Sequence, residues 1–202
     1  MISTTRRALA IAPLALALAP FTREARAADA AMEVGGVSFA ATQQVQQSTL
    51  QLNGAGVRYK TVFKVYAAAL YLEKAAHTPA EVFAQTGAKR MIVHMLREID
   101  SGELGKLFSR GMEDNMDKAA FSKVVSGVLR MSQIFSDHKK LQAGEQFMVD
   151  WIPGTGTVIT VRGQPQGEAF KQPEFFNALM GIWLGPNPVD WKLKEGLLGK
   201  KD

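Results

Sequence analysis

The strongest pattern in the chain runs through residues 57–72, VRYKTVFKVYAAALYL, where β-branched and aromatic residues dominate and predict a strand. Near its start the polar positions keep to one parity. Arg58, Lys60, Lys64 and Tyr66 fall together, and Tyr59, Thr61, Phe63, Val65 and Ala67 fall on the other. The run is long for one strand, so a bend or turn is expected near Lys60 and Thr61. An unbroken strand would aim Arg58 and Tyr66 at one face. Upstream, residues 34–39 (VGGVSF) read as a weak opening strand, and residues 46–52 alternate. Asn53-Gly54-Ala55-Gly56 reads as the turn between that segment and the main strand.

Helical spacing takes over further on. Thr78-Pro79-Ala80-Glu81 predicts a capped helix start, with Pro79 in the first helical position and Gly87 as the stop. Residues 89–95 (KRMIVHM) read as a central strand. Asp100 and Glu103 form a second capping signal, followed by Leu104, Leu107, Phe108 and Met112 at helical spacing. Phe121, Val124, Val125, Val128, Leu129 and Phe135 define a helix over about 118–135. Residues 146–152, the turn Pro153-Gly154-Thr155-Gly156 and residues 157–162 predict a hairpin, closed by Gly163-Gln164-Pro165. Pro173 opens a helix through Phe175, Phe176, Leu179, Ile182 and Trp183, stopped by Gly185 and Pro186, and a short last helix covers about 189–198. The strands are joined by hairpin-length turns. This predicts an α+β domain, an antiparallel sheet with helices on one face, occupying residues 28–202 without a linker.

The N-terminus changes the reading of the charge. Residues 1–7 are short and basic, residues 8–21 (ALAIAPLALALAPF) are apolar, and residues 22–27 end in Ala25-Arg26-Ala27. That is the layout of an export signal cleaved after Ala27, which places the mature protein in the periplasm. The apolar run is shorter than the roughly 20 residues a spanning helix needs, and Pro13 and Pro20 interrupt it. Arg6-Arg7 also gives the signal a loose twin-arginine character. Nothing later in the chain reads as a membrane span. Of the net charge of +5, Arg6, Arg7, Arg23 and Arg26 against Glu24 account for +3, leaving +2 for residues 28–202. So small an excess makes no electrostatic case for nucleic acid. The chain has no cysteine, which excludes disulfides, thiol catalysis and thiolate metal ligands. His77, His94 and His138 stand in no metal-ligand spacing, so neither a metal nor another cofactor is expected.

Four stretches together resemble the chalcone-isomerase-like family, in its exported bacterial branch. They are Leu52-Asn53-Gly54-Ala55-Gly56-Val57-Arg58, residues 63–73 (FKVYAAALYLE), Pro153-Gly154-Thr155-Gly156-Thr157, and residues 181–188 (GIWLGPNP). The resemblance implies a long curved antiparallel sheet with a helical layer on one face and a ligand cleft between them. In plant enzymes of the family that cleft closes a chalcone to a flavanone; in non-catalytic relatives it holds fatty acids. Arg58 matches the family arginine that follows the Gly-rich turn, Tyr66 falls where the plant enzymes have a threonine, and Asn115 resembles the helical asparagine. Counting back from Asn115 puts Phe108 at the catalytic tyrosine and Gly111 at the lysine, so a hydroxyl and an ammonium are missing; Arg110 is a nearby cation.

Two functions follow from this set. The first is a monomeric periplasmic protein that binds a small amphipathic acid, fatty-acid-like, between sheet and helices. Arg58 and Tyr66 would hold the carboxylate, and Phe108, Met112, Asn115 and Trp183 would complete the pocket. The alternative is an isomerase acting on a chalcone- or enone-like substrate, with Arg58, Tyr66 and Asn115 as the catalytic residues. By residue type alone, an arginine on a strand reads as solvated or as part of a structural salt bridge, and the apolar helix positions read as core. The resemblance is what moves Arg58 into a cleft.

Overall fold

The computed structural model describes residues 30–200; the expected export signal lies outside them. The main sheet has seven strands in the order β11-β10-β9-β6-β5-β4-β3, every neighbour antiparallel. They are β3 (Thr42–Val45), β4 (Ser48–Lys60), β5 (Phe63–Leu72), β6 (Lys89–Met95), β9 (Gln146–Ile152), β10 (Gly156–Val161) and β11 (Gln164–Pro165). A hairpin of β1 (Ala30–Val34) and β2 (Val37–Ala40) precedes the sheet, and β7 (Ile99–Asp100) pairs with β8 (Lys140–Leu141) at its side. The helices are α1 (Pro79–Ala84), α2 (Ser101–Glu113), α3 (Lys118–Ser136), α4 (Pro173–Leu184) and α5 (Trp191–Leu197). The α+β architecture read from the sequence is the one observed.

β5 explains why one strand carries so continuous an apolar run. Tyr66, Ala68, Leu70 and Leu72 pack in a core with residues of α2, α3, α4 and α5. Ala67, Ala69 and Tyr71 point the other way, into a second core closed by Phe39 and Val37 of β2. Both faces are dry, so alternation disappears from residue 65 onward.

The local signals at helix starts hold. Thr78 accepts from the Glu81 N–H while the Glu81 carboxylate accepts from the Thr78 N–H, a complete capping box. Asp100 caps α2 and Asp117 caps α3 through their side chains. α1 ends at Ala84, before the expected stop at Gly87, and α5 begins at Trp191, behind the cap of Asp190.

Three readings of the strands are corrected. Residues 34–39 are not one strand but the middle of the β1–β2 hairpin. Gly35 and Gly36 turn it with φ of +64° and +86°, the paired positive values of a tight hairpin turn that glycine reaches without strain. The turn expected near Lys60 and Thr61 is present: Thr61 and Val62 turn β4 into β5, with Thr61 at φ 59°. Asn53-Gly54-Ala55-Gly56 is not a turn and lies inside β4. Its glycines are there because α5 lies against the strand: a Cβ on Gly54 would stand 2.1 Å from the Gly196 carbonyl oxygen, and one on Gly56 3.1 Å from a Leu193 methyl. Finally, β3 pairs with the first part of β4, a strand that the polar segment TQQV did not announce.

Candidate functional site

The β4–β5 hairpin builds the centre of the site. Arg58 is the cross-strand partner of Tyr66, so the two side chains leave the sheet on one face. That face is the helical one, because Tyr66 belongs to the core beneath the helices. The guanidinium carbon of Arg58 stands 5.6 Å from the centroid of the Tyr66 ring, a cation–π distance. Arg58 is half-buried, and its Nε is sealed from solvent with no acceptor among the described residues. Ser101 Oγ and Thr157 Oγ1 share that condition, but only Arg58 carries a charge. No carboxylate among the described residues forms a salt bridge with it.

Tyr66 is fully buried, and its hydroxyl accepts a hydrogen bond of 2.9 Å from Trp183 Nε1, donated by α4. Burial pushes the phenol up to about 12, opposed by the positive charge of Arg58 and by the Trp183 hydrogen bond. The hydroxyl therefore stays protonated, and among the described residues no acceptor takes its own proton. Arg58 thus holds a desolvated N–H over the Tyr66 ring, and Tyr66 has a phenolic O–H with no acceptor among the described residues, both donors. Their chemistry suits an anionic oxygen.

Behind this pair the interior is filled. Phe108 of α2 meets the Trp183 ring edge-on at 5.7 Å, Phe135 of α3 at 5.2 Å and Phe147 of β9 at 5.6 Å. Met112 is fully enclosed in the same core. The fold thus brings Arg58, Tyr66, Phe108, Met112 and Trp183 into one region.

Asn115 has a different setting. Its Nδ2 donates to the carbonyls of Gly111 (2.8 Å) and Asn187 (2.9 Å), and its Oδ1 accepts from the Asn187 N–H at 2.8 Å. It ties the end of α2 to the loop after α4. A Cβ on Gly185 would stand 2.2 Å from Asn115 Oδ1, which accounts for glycine ahead of Pro186-Asn187-Pro188. Gly111 lies under Ile182 of α4, with 3.2 Å between a built Cβ and the Ile182 side chain, so the helices leave little space for a longer residue there. The Arg110 side chain is 80% exposed and faces Asp114 at 3.8 Å, on the solvent side of α2.

One role and one residue lie beyond the sequence reading. Trp183 is expected as a pocket residue, but its role as hydrogen-bond donor to Tyr66 depends on a contact 117 positions away in the chain. Asp190 was not singled out. Its Oδ2 accepts from the Tyr59 N–H at 3.0 Å, its Oδ1 accepts from the Leu193 N–H at 3.1 Å to cap α5, and its charge bears on Tyr66. An aspartate directly before the apolar positions of the last helix is a cap signature that could have found it. Beside this region, a groove of about 860 Å³ follows the edge of β4 between β1 and α5. Val34, Val57, Tyr59, Asp190 and Lys192 are among its lining residues, and Val57 and Tyr59 flank Arg58 in the chain. Among the described residues no group of His, Asp and Glu is placed to hold a metal ion, and no helix is long and apolar enough to cross a membrane.

The chalcone isomerase-like family profile matches residues 31–199, and the chain belongs to that family. Among solved structures, the crystal structure of an Arabidopsis thaliana fatty-acid binding protein superimposes with a TM-score of 0.62 at 17% identity, covering 81% of this chain and 92% of that one. At that identity the likeness is one of fold. No curated protein matches the chain.

Proposed function

We propose that this protein binds a small amphipathic carboxylate, fatty-acid-like, with its head at Arg58 and its tail between sheet and helices, and that it does so in the periplasm after removal of residues 1–27. The observation that carries the reading is the Arg58 guanidinium: on the helical face of the sheet, with Nε desolvated and unpaired among the described residues, over the ring of Tyr66, whose hydroxyl has a proton to give. A charge held this way needs an anionic partner, and the planar fork of arginine matches a carboxylate. The Arabidopsis protein of like fold is a fatty-acid binding protein, which supports the choice of ligand class. The closed packing of Phe108, Met112 and Trp183 means that a tail enters by displacing side chains, and the unbranched Met112 is suited to moving.

The test is native mass spectrometry of the purified protein with palmitate, together with displacement of a fluorescent fatty acid. Wild type is expected to retain one acid per chain. Arg58→Ala should weaken binding by about tenfold or more, the usual value of a charged hydrogen bond, and Arg58→Lys should recover part of it. An acid bound equally well without Arg58, or no acid bound at all, overturns the assignment. Cyclisation of a chalcone by wild type, abolished in Arg58→Ala, would replace it with the isomerase reading.

A further inference from the structure

The β4–β5 hairpin does more than place Arg58 at its root. β6 stops opposite Tyr66, and β3 covers only Ser48 to Gln51 of β4. Residues 59–64 therefore project past the last registered pairs of both neighbouring strands. This finger has the sequence YKTVFK. Its apolar members face solvent: Val62 is 76% exposed, Phe63 59% and Tyr59 43%. A valine and a phenylalanine side by side at a protruding turn are costly in water, and more than half of each is left open by the described residues.

The charges around the finger are of one sign at its end. Lys60 and Lys64 lie within it, and Arg97 places its guanidinium 5.2 Å from the Phe63 ring. Among the described residues none of these three is in a salt bridge. The acidic neighbours are set back. Glu98 is paired with Lys140, and Asp100 caps α2; with Glu103 they line a shallow pocket at the base that Lys60 and Arg97 also border. Asp190 is occupied by the Tyr59 N–H and the start of α5. An apolar tip within a basic collar fits one partner chemistry, a membrane surface bearing anionic headgroups: the tip enters the headgroup–acyl boundary while the cations stay at the phosphates.

We infer that the 59–64 hairpin tip docks this protein on anionic phospholipid bilayers. The inference stands on the finger's exposure and charge, independently of what Arg58 holds. The experiment is vesicle flotation of the ligand-free protein at low salt. One set of vesicles mixes phosphatidylethanolamine with phosphatidylglycerol, and the other is pure phosphatidylcholine. Wild type should float with the anionic vesicles, much less with the neutral ones, and detach as salt rises. The double variant Val62→Asp/Phe63→Asp should lose at least about tenfold in partitioning. Neutralising Lys60 or Lys64 to Gln should cost about fivefold each. Leu129→Asp, which alters a comparably exposed apolar residue on α3, should leave flotation unchanged. Circular-dichroism melts of these surface variants show whether the fold is kept. Failure of wild type to float, flotation of the tip variant at wild-type level, or an equal loss in Leu129→Asp overturns the inference. So does a dimer in light scattering that dissolves on changing Val62 and Phe63 while vesicles are ignored.

Discussion

Tyr66 shows how one side chain links stability to the site. Its hydroxyl is the acceptor for Trp183 Nε1, and both residues are fully buried. Tyr66→Phe strips the indole of its partner and should cost about 1–3 kcal/mol in chemical denaturation. It should also change the response to alkali. The phenol's folded-state value is raised from 10.0 to about 12, so the neutral form is the one the fold favours. That contribution is complete below pH 10 and disappears as pH climbs through 12. Over this window wild type should lose about 2–3 kcal/mol more than Tyr66→Phe. Denaturation curves at successive pH values check this, and parallel slopes for the two proteins would refute it. At this scale the sequence was a partial guide. The pairing of Arg58 with Tyr66 on one face was legible from their shared parity, although they meet across the hairpin and not along one strand. The tryptophan donor was not, because it comes from α4, far along the chain, and neither was the unsatisfied Nε, which is set by tertiary burial.

Among elements, the legible ones carry their instructions locally. Capping side chains and prolines at helix starts, and alternating segments such as Gln146–Ile152, need no distant partner to be read. The misread ones take their meaning from elsewhere. Glycine has one appearance in sequence and two uses here. Gly35 and Gly36 serve backbone conformation, whereas Gly54 serves the approach of α5. The two uses predict different penalties. Gly54→Ala drives a methyl into backbone and should cost at least about 3 kcal/mol. Gly36→Ala meets nothing within 4 Å and should cost only the strain of a positive φ, about 1 kcal/mol. Thermal or urea melts that rank the two the other way would show that the strand tolerates displacement of α5. The site elements follow the same division: the hairpin could be anticipated from its strand pattern, but Asn115 acts as a clasp on the loop at Asn187, which no spacing rule announces.

The molecule as a whole is a sheet with a core on each side, and the two sides are held differently. Helices close one. The other is closed by the β1–β2 hairpin and by a buried ion pair in which Arg90 donates Nε and Nη2 to the two Asp150 oxygens, both at 2.7 Å, and Nη1 to Gln43 of β3. That network spans β3, β6 and β9. Asp150→Ala leaves an enclosed guanidinium uncompensated and should cost about 3–5 kcal/mol. Its effect is expected to show as early exchange of amide protons in β3 and the β1–β2 hairpin, with α2–α4 following only at global unfolding; uniform loss of protection would argue against two separable sides.

The placement of α5 has a consequence for biogenesis. The Asn53 amide donates to the Leu197 carbonyl, and the glycines of β4 lie beneath the last helix. A strand completed early in synthesis thus waits for residues 144 positions downstream before it is shielded. Until those residues are made and folded back, the first long strand is open to pairing with a stranger.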